Sequence, residues 1–257
     1  MLELKNIRKK FNAGTIDETT LFTDFNLTVE TGEFISVIGS NGSGKTTLLN
    51  LICGSLRPDG GSILFDGRDV TRTSEYARAR LIGRVLQDPK AGTCPNLTIL
   101  ENLSLADNKN KRFGLSPALN KRRLDDYRTL LERCNLGLEN RLNVPVGSLS
   151  GGQRQALALV IANMADIKLL ILDEHTAALD PKTSETIMEL TDQIVREKHI
   201  TTLMVTHNLR FALQYGSRLI MMHEGHRVMD LKGAEKQAVQ LDDVLAKFNE
   251  ISIECGN

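Results

Sequence analysis

Residues 39–47 read GSNGSGKTT and follow the apolar run Phe34-Ile35-Ser36-Val37-Ile38. A glycine, four residues and then Gly44-Lys45-Thr46 is the pattern of a phosphate-binding loop. It constrains the fold because it demands a strand leading in and a helix leading out. The spelling has a chemical reason: glycines lack a Cβ, so the backbone can take positive φ and turn several N–H groups toward anionic oxygens. Lys45 adds a point charge for terminal phosphates, Thr46 a hydroxyl for Mg²⁺, and the helix starting near Lys45 the positive end of its dipole. At a glycine frequency of about 7%, roughly one chain in a hundred of this size carries such a match by chance, so other motifs must decide what the loop belongs to.

The bulk numbers narrow the choice. With 257 residues and 41% hydrophobic content, the chain can bury a substantial core in one large domain or two associated subdomains. Lys plus Arg and Asp plus Glu are 32 each, so no net field argues for nucleic acid or an acidic lipid surface. Cys53, Cys94, Cys134 and Cys255 have no CxxC spacing and read as reduced thiols of a cytosolic protein. The start, Met-Leu-Glu-Leu-Lys-Asn, lacks a signal peptide's apolar core, and the most apolar region, 157–172, is broken by Asp166 and Lys168. No segment is expected to span a membrane.

Along the chain, 2–7 and 21–30 alternate apolar and polar residues and predict two antiparallel strands joined by a polar connection at 12–20. A helix is predicted over 45–53 with Gly54 as its stop, then a turn at Pro58-Asp59-Gly60-Gly61. Segments 62–65 and 68–70 flank Asp66-Gly67, a strong hairpin signal. A helix over 75–81 and a strand over 83–86 follow, the latter ending at Gln87-Asp88-Pro89. From 90 to 147 helical patterns at 99–106 and 121–135 predict an inserted helical subdomain, and the charge runs at 109–112 and 121–123 read as solvated faces or loops rather than nucleic-acid contacts. Leu149-Ser150-Gly151-Gly152-Gln153 opens a helix that is apolar almost all round. Leu169-Leu170-Ile171-Leu172 predicts a parallel strand covered on both faces that stops at Asp173-Glu174. A helix over 183–197, strands over 201–205, 218–222 and 226–231, and a helix near 242–249 complete the reading, with His207 just past the first of these strands.

In order, the motifs are GSNGSGKT at Gly39, Gln87, LSGGQ at Leu149, LLILDE at Leu169, AALD at Ala177, and His207. With this constellation the chain resembles the nucleotide-binding subunit of an ATP-binding cassette (ABC) transporter over nearly its whole length. The fold implied is an α/β P-loop core (1–89 and 148–257) with a mostly parallel sheet and an N-terminal antiparallel β-subdomain, into which the helical subdomain 90–147 is inserted. The cofactors implied are ATP and Mg²⁺. Nucleotide would lie on Gly39, Ser40, Asn41, Gly42, Ser43, Gly44, Lys45, Thr46 and Thr47, with Phe11 stacked on adenine. Mg²⁺ would be held by Thr46, Gln87 and Asp173. Glu174 would orient or polarise the attacking water, Gln87 would contact metal and water, and His207 would hydrogen-bond the γ-phosphate.

Ser150, Gly151, Gly152 and Gln153 form a helix N-terminus with a hydroxyl and bare amides, a second anion site by the same physics. In the family the two sites meet when two subunits pack head to tail, with Asp180 at that interface, so the resemblance implies a homodimer glued by ATP. Where most members have proline after the acidic pair, this chain has His175, which reads as a conservative loop variant; the alternative is an extra backbone donor near the phosphates with an imidazole that could titrate near neutral pH. The wording DEHTAALDPKT resembles bacterial importers of amino acids. The function implied is an ATP hydrolase at the cytoplasmic face of the membrane, driving import through separate permease subunits and indirectly served by a solute-binding protein. A split exporter and a non-transport ABC ATPase are the alternatives. No nucleic-acid partner is expected, and a phosphotransferase would leave LSGGQ without a task.

Overall fold

The computed structural model describes residues 1–109 and 119–254. In chain order the elements are β1 (Leu2–Phe11), β2 (Thr19–Val29), β3 (Phe34–Gly39), α1 (Lys45–Cys53), β4 (Gly60–Phe65), β5 (Arg68–Asp69), α2 (Glu75–Arg78) and β6 (Ile82–Val85). Next come α3 (Ile99–Asp107), α4 (Leu124–Glu132), α5 (Gly151–Met164), β7 (Leu169–Asp173) and α6 (Pro181–Lys198). The chain closes with β8 (Thr201–Val205), α7 (Leu209–Gln214), β9 (Arg218–His223), β10 (His226–Lys232), α8 (Ala234–Ala238) and α9 (Leu241–Glu254). They divide into two compact units, Met1–Ala79 with Ile200–Asn257, and Arg80–His199.

In the first unit, β2, β1, β4 and β5 form an antiparallel sheet in that order. Leu4 lies opposite Leu27 on one side and Ile63 on the other, so alternate residues bury one face. The expected alternation over 2–7 stops short because Asn6 takes positive φ (50°) and the register shifts between Leu4 and Ile7. The strand nevertheless runs on to Phe11, with the Asn6 N–H satisfied by Asn26 Oδ1 at 2.9 Å. β3 is parallel to both β8 and β9, and β10 returns antiparallel on β9. All five residues of β7 are buried, as its apolar run predicts for a strand covered on both faces, and so are all six of β3 and all five of β8. α1 ends where expected, with Gly54 at φ 85° donating its N–H to the Asn50 carbonyl. The buried Arg218 guanidinium is fully occupied, by Asp230 at 2.6 and 2.7 Å and the Thr28 carbonyl at 2.8 Å among others.

In the second unit, β6 and β7 pair in parallel with Val85 opposite Leu172. Over them packs α5, with apolar residues buried nearly all round. Gly83 permits the approach: a Cβ there would lie 2.6 Å from the Ala162 carbonyl oxygen of α5. The described part of 90–147 carries α3, α4, short 3-10 turns and an isolated bridge between Thr98 and Pro145. The expected helix over 121–135 is a 3-10 turn at Lys121–Arg123 followed by the shorter α4, and the one expected over 75–81 is cut to four residues. Residues 110–112 of the first charge run and Cys255 lie outside the described residues. Arg123 of the second run pairs with Asp107 and Asp126. Cys53 and Cys134 are buried and Cys94 exposed, and none of the three is in a disulfide among the described residues.

Candidate functional site

Phe11, residues 39–47 and His207 lie on the first unit; Gln87, residues 150–153, Asp173, Glu174 and Asp180 lie on the second. On the first unit the glycine-rich loop is held from behind. Gly39 has φ 155°, and a Cβ on it would sit 2.2 Å from the Met222 carbonyl oxygen of β9. Gly44, at φ 99°, lies against the Phe22 ring. Glu224 and Gly225, both at positive φ, make the β9–β10 turn, and the Gly225 N–H donates to the Ser43 carbonyl at 3.1 Å. His223 Nδ1 is 3.2 Å from Ser40 Oγ. The sequence reading saw two strands here but not that their turn buttresses the loop, because that contact joins residues some 180 positions apart.

Lys45 is buried, and its ammonium donates to the Gly39 and Ser40 carbonyls at 2.8 Å each, which holds the charge at the loop. Thr46 and Thr47 occupy the first turn of α1, Thr46 with its side chain exposed. His207 is exposed just past β8, whose end is tied to β3 by the Thr206 N–H donating to the Val37 carbonyl at 3.2 Å. A depression of about 420 Å³ is lined by Gly39, Ser40, Asn41 and His207 together with α9 residues Leu245 and Phe248, so the fold does bring His207 to the loop. Phe11 ends β1 with 36% of its surface exposed and Lys9 Nζ 5.5 Å from its ring centroid.

On the second unit, β7 delivers Asp173 at its tip, only 9% exposed, with Arg84 of β6 donating to its Oδ2 at 2.9 Å. The sequence reading missed Arg84, although one arginine inside the apolar run Ile82-Gly83-Arg84-Val85-Leu86 was its signal. Glu174 follows at φ 48°. For a non-glycine residue this costs on the order of 1 kcal/mol or more and aims the side chain away from the strand's alternation, as happens at functional sites. Gln87 is exposed two residues beyond β6, next to a carbonyl, that of Leu86, which accepts from Gln155 Nε2 at 3.3 Å.

Ser150 caps α5 reciprocally with Gln153: its Oγ accepts from the Gln153 N–H at 3.2 Å, and its own N–H donates to Gln153 Oε1 at 3.2 Å. Gln153 Nε2 also donates to the Leu136 carbonyl, so its side chain is part of the helix cap. Gly152 is packed against α6, where a Cβ would lie 2.2 Å from Thr183 Cγ2. Asp180 caps α6, accepting from the Thr183 N–H at 3.0 Å, and Pro181 takes the first helical position. The Asp-Pro pair signalled that second role.

His175 lies in the turn after β7, as a loop variant should, and the alternative of a titrating imidazole fails. Its ring is 2% exposed, 3.4 Å from the Thr191 hydroxyl, and burial pushes its pKa down to about 4. It is a neutral core residue that does not titrate near neutral pH.

Thr46 on the first unit, and Gln87 and Asp173 on the second, each carry an oxygen, the donor type that suits Mg²⁺. No group of three or more His, Cys, Asp or Glu among the described residues could hold a metal. A cavity of about 210 Å³ among α4, α5 and α6 is lined by none of these residues, and its Arg133 is paired with Glu197.

The family model described as ABC transporter matches residues 22–177. The chain belongs to the ABC transporter family. It is 50% identical to a tyrosine transport ATP-binding protein of Clostridioides difficile, over 96% of this chain and 98% of that one. It is 34% identical to a phosphonates import ATP-binding protein of a Ruegeria species, covering 96% and 95%. Among solved structures, a dimeric post-hydrolysis ATP-binding cassette bound to ADP and Pi matches with TM-score 0.78 at 31% identity, covering 90% of this chain and 98% of that one. The ADP conformation of another ABC transporter cassette matches with TM-score 0.79 at 26% identity over 100% and 99%. This ABC cassette is therefore an ATP-binding ATPase subunit of a transporter, of a kind that works as a dimer with transmembrane permeases. No helix among its described residues is long and apolar enough to cross a membrane.

Proposed function

We propose that the cassette powers a bacterial importer for an amino acid, sitting on the cytoplasmic face of the membrane against separate permease subunits that a solute-binding protein supplies. The relative at 50% identity, whose name specifies tyrosine transport, supports the cargo class. Lys45 and the amides of 39–47 bind the ATP phosphates, and Phe11 stacks on adenine. Thr46, Asp173 and Gln87 hold Mg²⁺, which when bound neutralises phosphate charge. Glu174 orients the attacking water and takes its proton, and His207 hydrogen-bonds the γ-phosphate. Ser150, Gly151, Gly152 and Gln153 present their helix N-terminus to the phosphate held by a second copy, with Asp180 at the interface. The segment 90–147 serves as the helical subdomain.

The observation that carries the catalytic assignment is Glu174 itself, strained to φ 48° directly after the buried strand that ends in Asp173. A positioned general base contributes about 10²–10⁴-fold. Glu174→Gln should therefore bind ATP, lose at least ~10²-fold in turnover, and accumulate as an ATP-bound dimer on size exclusion. Turnover at the parent rate would remove Glu174 from this role.

A further inference from the structure

Two arginines of the second unit, the buried Arg154 and the half-buried Arg84, differ in how they are satisfied. Arg154 donates to three main-chain carbonyls, those of Val146, Gly147 and Leu149, and is a structural tie. Arg84 is used differently. Its Nη2 pairs with Asp173 Oδ2, and its buried Nε has no hydrogen-bond partner among the described residues. A buried donor left unpaired costs free energy, so this arrangement is a poor way to stabilise a strand. It is a good way to place positive charge on one carboxylate. Register explains the reach: Arg84 lies opposite Ile171 in the β6–β7 ladder, two residues before Asp173, which leaves the long side chain to span to the strand tip.

Asp173 and Glu174 are adjacent acids, and Asp173 is almost wholly buried. A buried carboxylate needs a counter-charge. Resting on the reading of Asp173 as the Mg²⁺ ligand, we infer that Arg84 is a positioning residue that serves as counter-ion to the Asp173 carboxylate and competes with Mg²⁺ for it. Each cation weakens the hold of the other. The binding coupling is reciprocal, so whatever Arg84 subtracts from metal affinity the metal subtracts from the contribution of Arg84 to stability. Such a residue keeps the acid pair ready between turnovers and lets the metal leave with product.

The test measures metal dependence, not turnover alone. Full-length wild type, Arg84→Met and Arg84→Lys are titrated with Mg²⁺ at fixed ATP, reading thermal midpoint, and with Mn²⁺ and ATP, reading free Mn²⁺ by electron paramagnetic resonance. Arg84→Met should melt lower than wild type without metal, recover most of the difference at saturating Mg²⁺, and bind Mn²⁺–ATP about tenfold more tightly, a change of ~1.4 kcal/mol. Arg84→Lys, which keeps the charge, should lie between the two. Equal destabilisation with and without metal would make Arg84 purely structural, and weaker metal binding in Arg84→Met would make it a supporting orienter; either overturns the inference. Asp173→Asn run alongside separates the underlying reading: if that variant keeps wild-type metal dependence, Asp173 is not the ligand. If it loses the dependence while Arg84→Met matches wild type, the counter-ion role alone fails.

Discussion

At the scale of single residues, side chains with similar sequence signals have different fates in the fold. His175 and His207 both follow buried strands, yet one is sealed in the core and the other is exposed beside the loop at Gly39. The sequence around them does not distinguish them, because burial is decided by packing, in the case of His175 against Thr191 of α6. The depressed pKa of His175 has a consequence for stability. The unfolded imidazole binds a proton near its ordinary value of 6.5, whereas the folded one resists it until about 4. The neutral ring's contribution is thus fully present above pH 6.5 and is lost as pH falls toward 4, by up to roughly 3 kcal/mol. Urea melts from pH 7 to pH 4.5 should fall more steeply for the parent than for His175→Leu; parallel curves would mean that the ring is not buried neutral. The Asp173–Glu174 pair was legible from its position after an apolar run. Its partner Arg84 was not, since a salt bridge between strands 89 residues apart leaves no mark beyond an odd charge in a strand.

At the scale of elements, legibility followed the locality of the forces. The Asp66-Gly67 hairpin, the Gly54 stop of α1, the Ser150 start of α5 and the apolar strands β3, β7 and β8 all appeared where chain-local signals put them. Helices α7 and α8 were missed. They have only six and five residues, too few to show a period, and α7 is held by the Asn208 cap and by packing of Ala212 against Leu219 and Val244. Strand β1 was read short because its bulge at Asn6 breaks the alternation on which the reading depended. Close approach between elements was also invisible, and Gly83 is the clearest case. Gly83→Ala would drive a methyl against the Ala162 carbonyl and Ile167, which lie 2.6 and 2.7 Å from the Cβ position. Overpacking of this kind costs about 1–3 kcal/mol. Denaturant unfolding should register that loss, and an unchanged midpoint would show that β6 and α5 can move apart freely.

At the scale of the molecule, one chain carries two helix starts of the kind that can bind an anion, the loop before α1 and the N-terminus of α5. The sequence announced both helix starts, along with the family. What it could not convey is how each is braced: the first by the turn at Glu224-Gly225, the second by the reciprocal cap of Ser150 and Gln153. In the proposed function the loop at Gly39 is half of a reaction site, completed by Ser150 of another copy. Binding of ATP then needs one molecule and fast hydrolysis needs two. The most direct measurement is specific ATPase activity across a wide range of protein concentration, with association state followed by sedimentation under the same conditions. Activity per molecule should rise with concentration and level off as dimer forms. A rate per molecule that stays constant in a verified monomer would contradict the account.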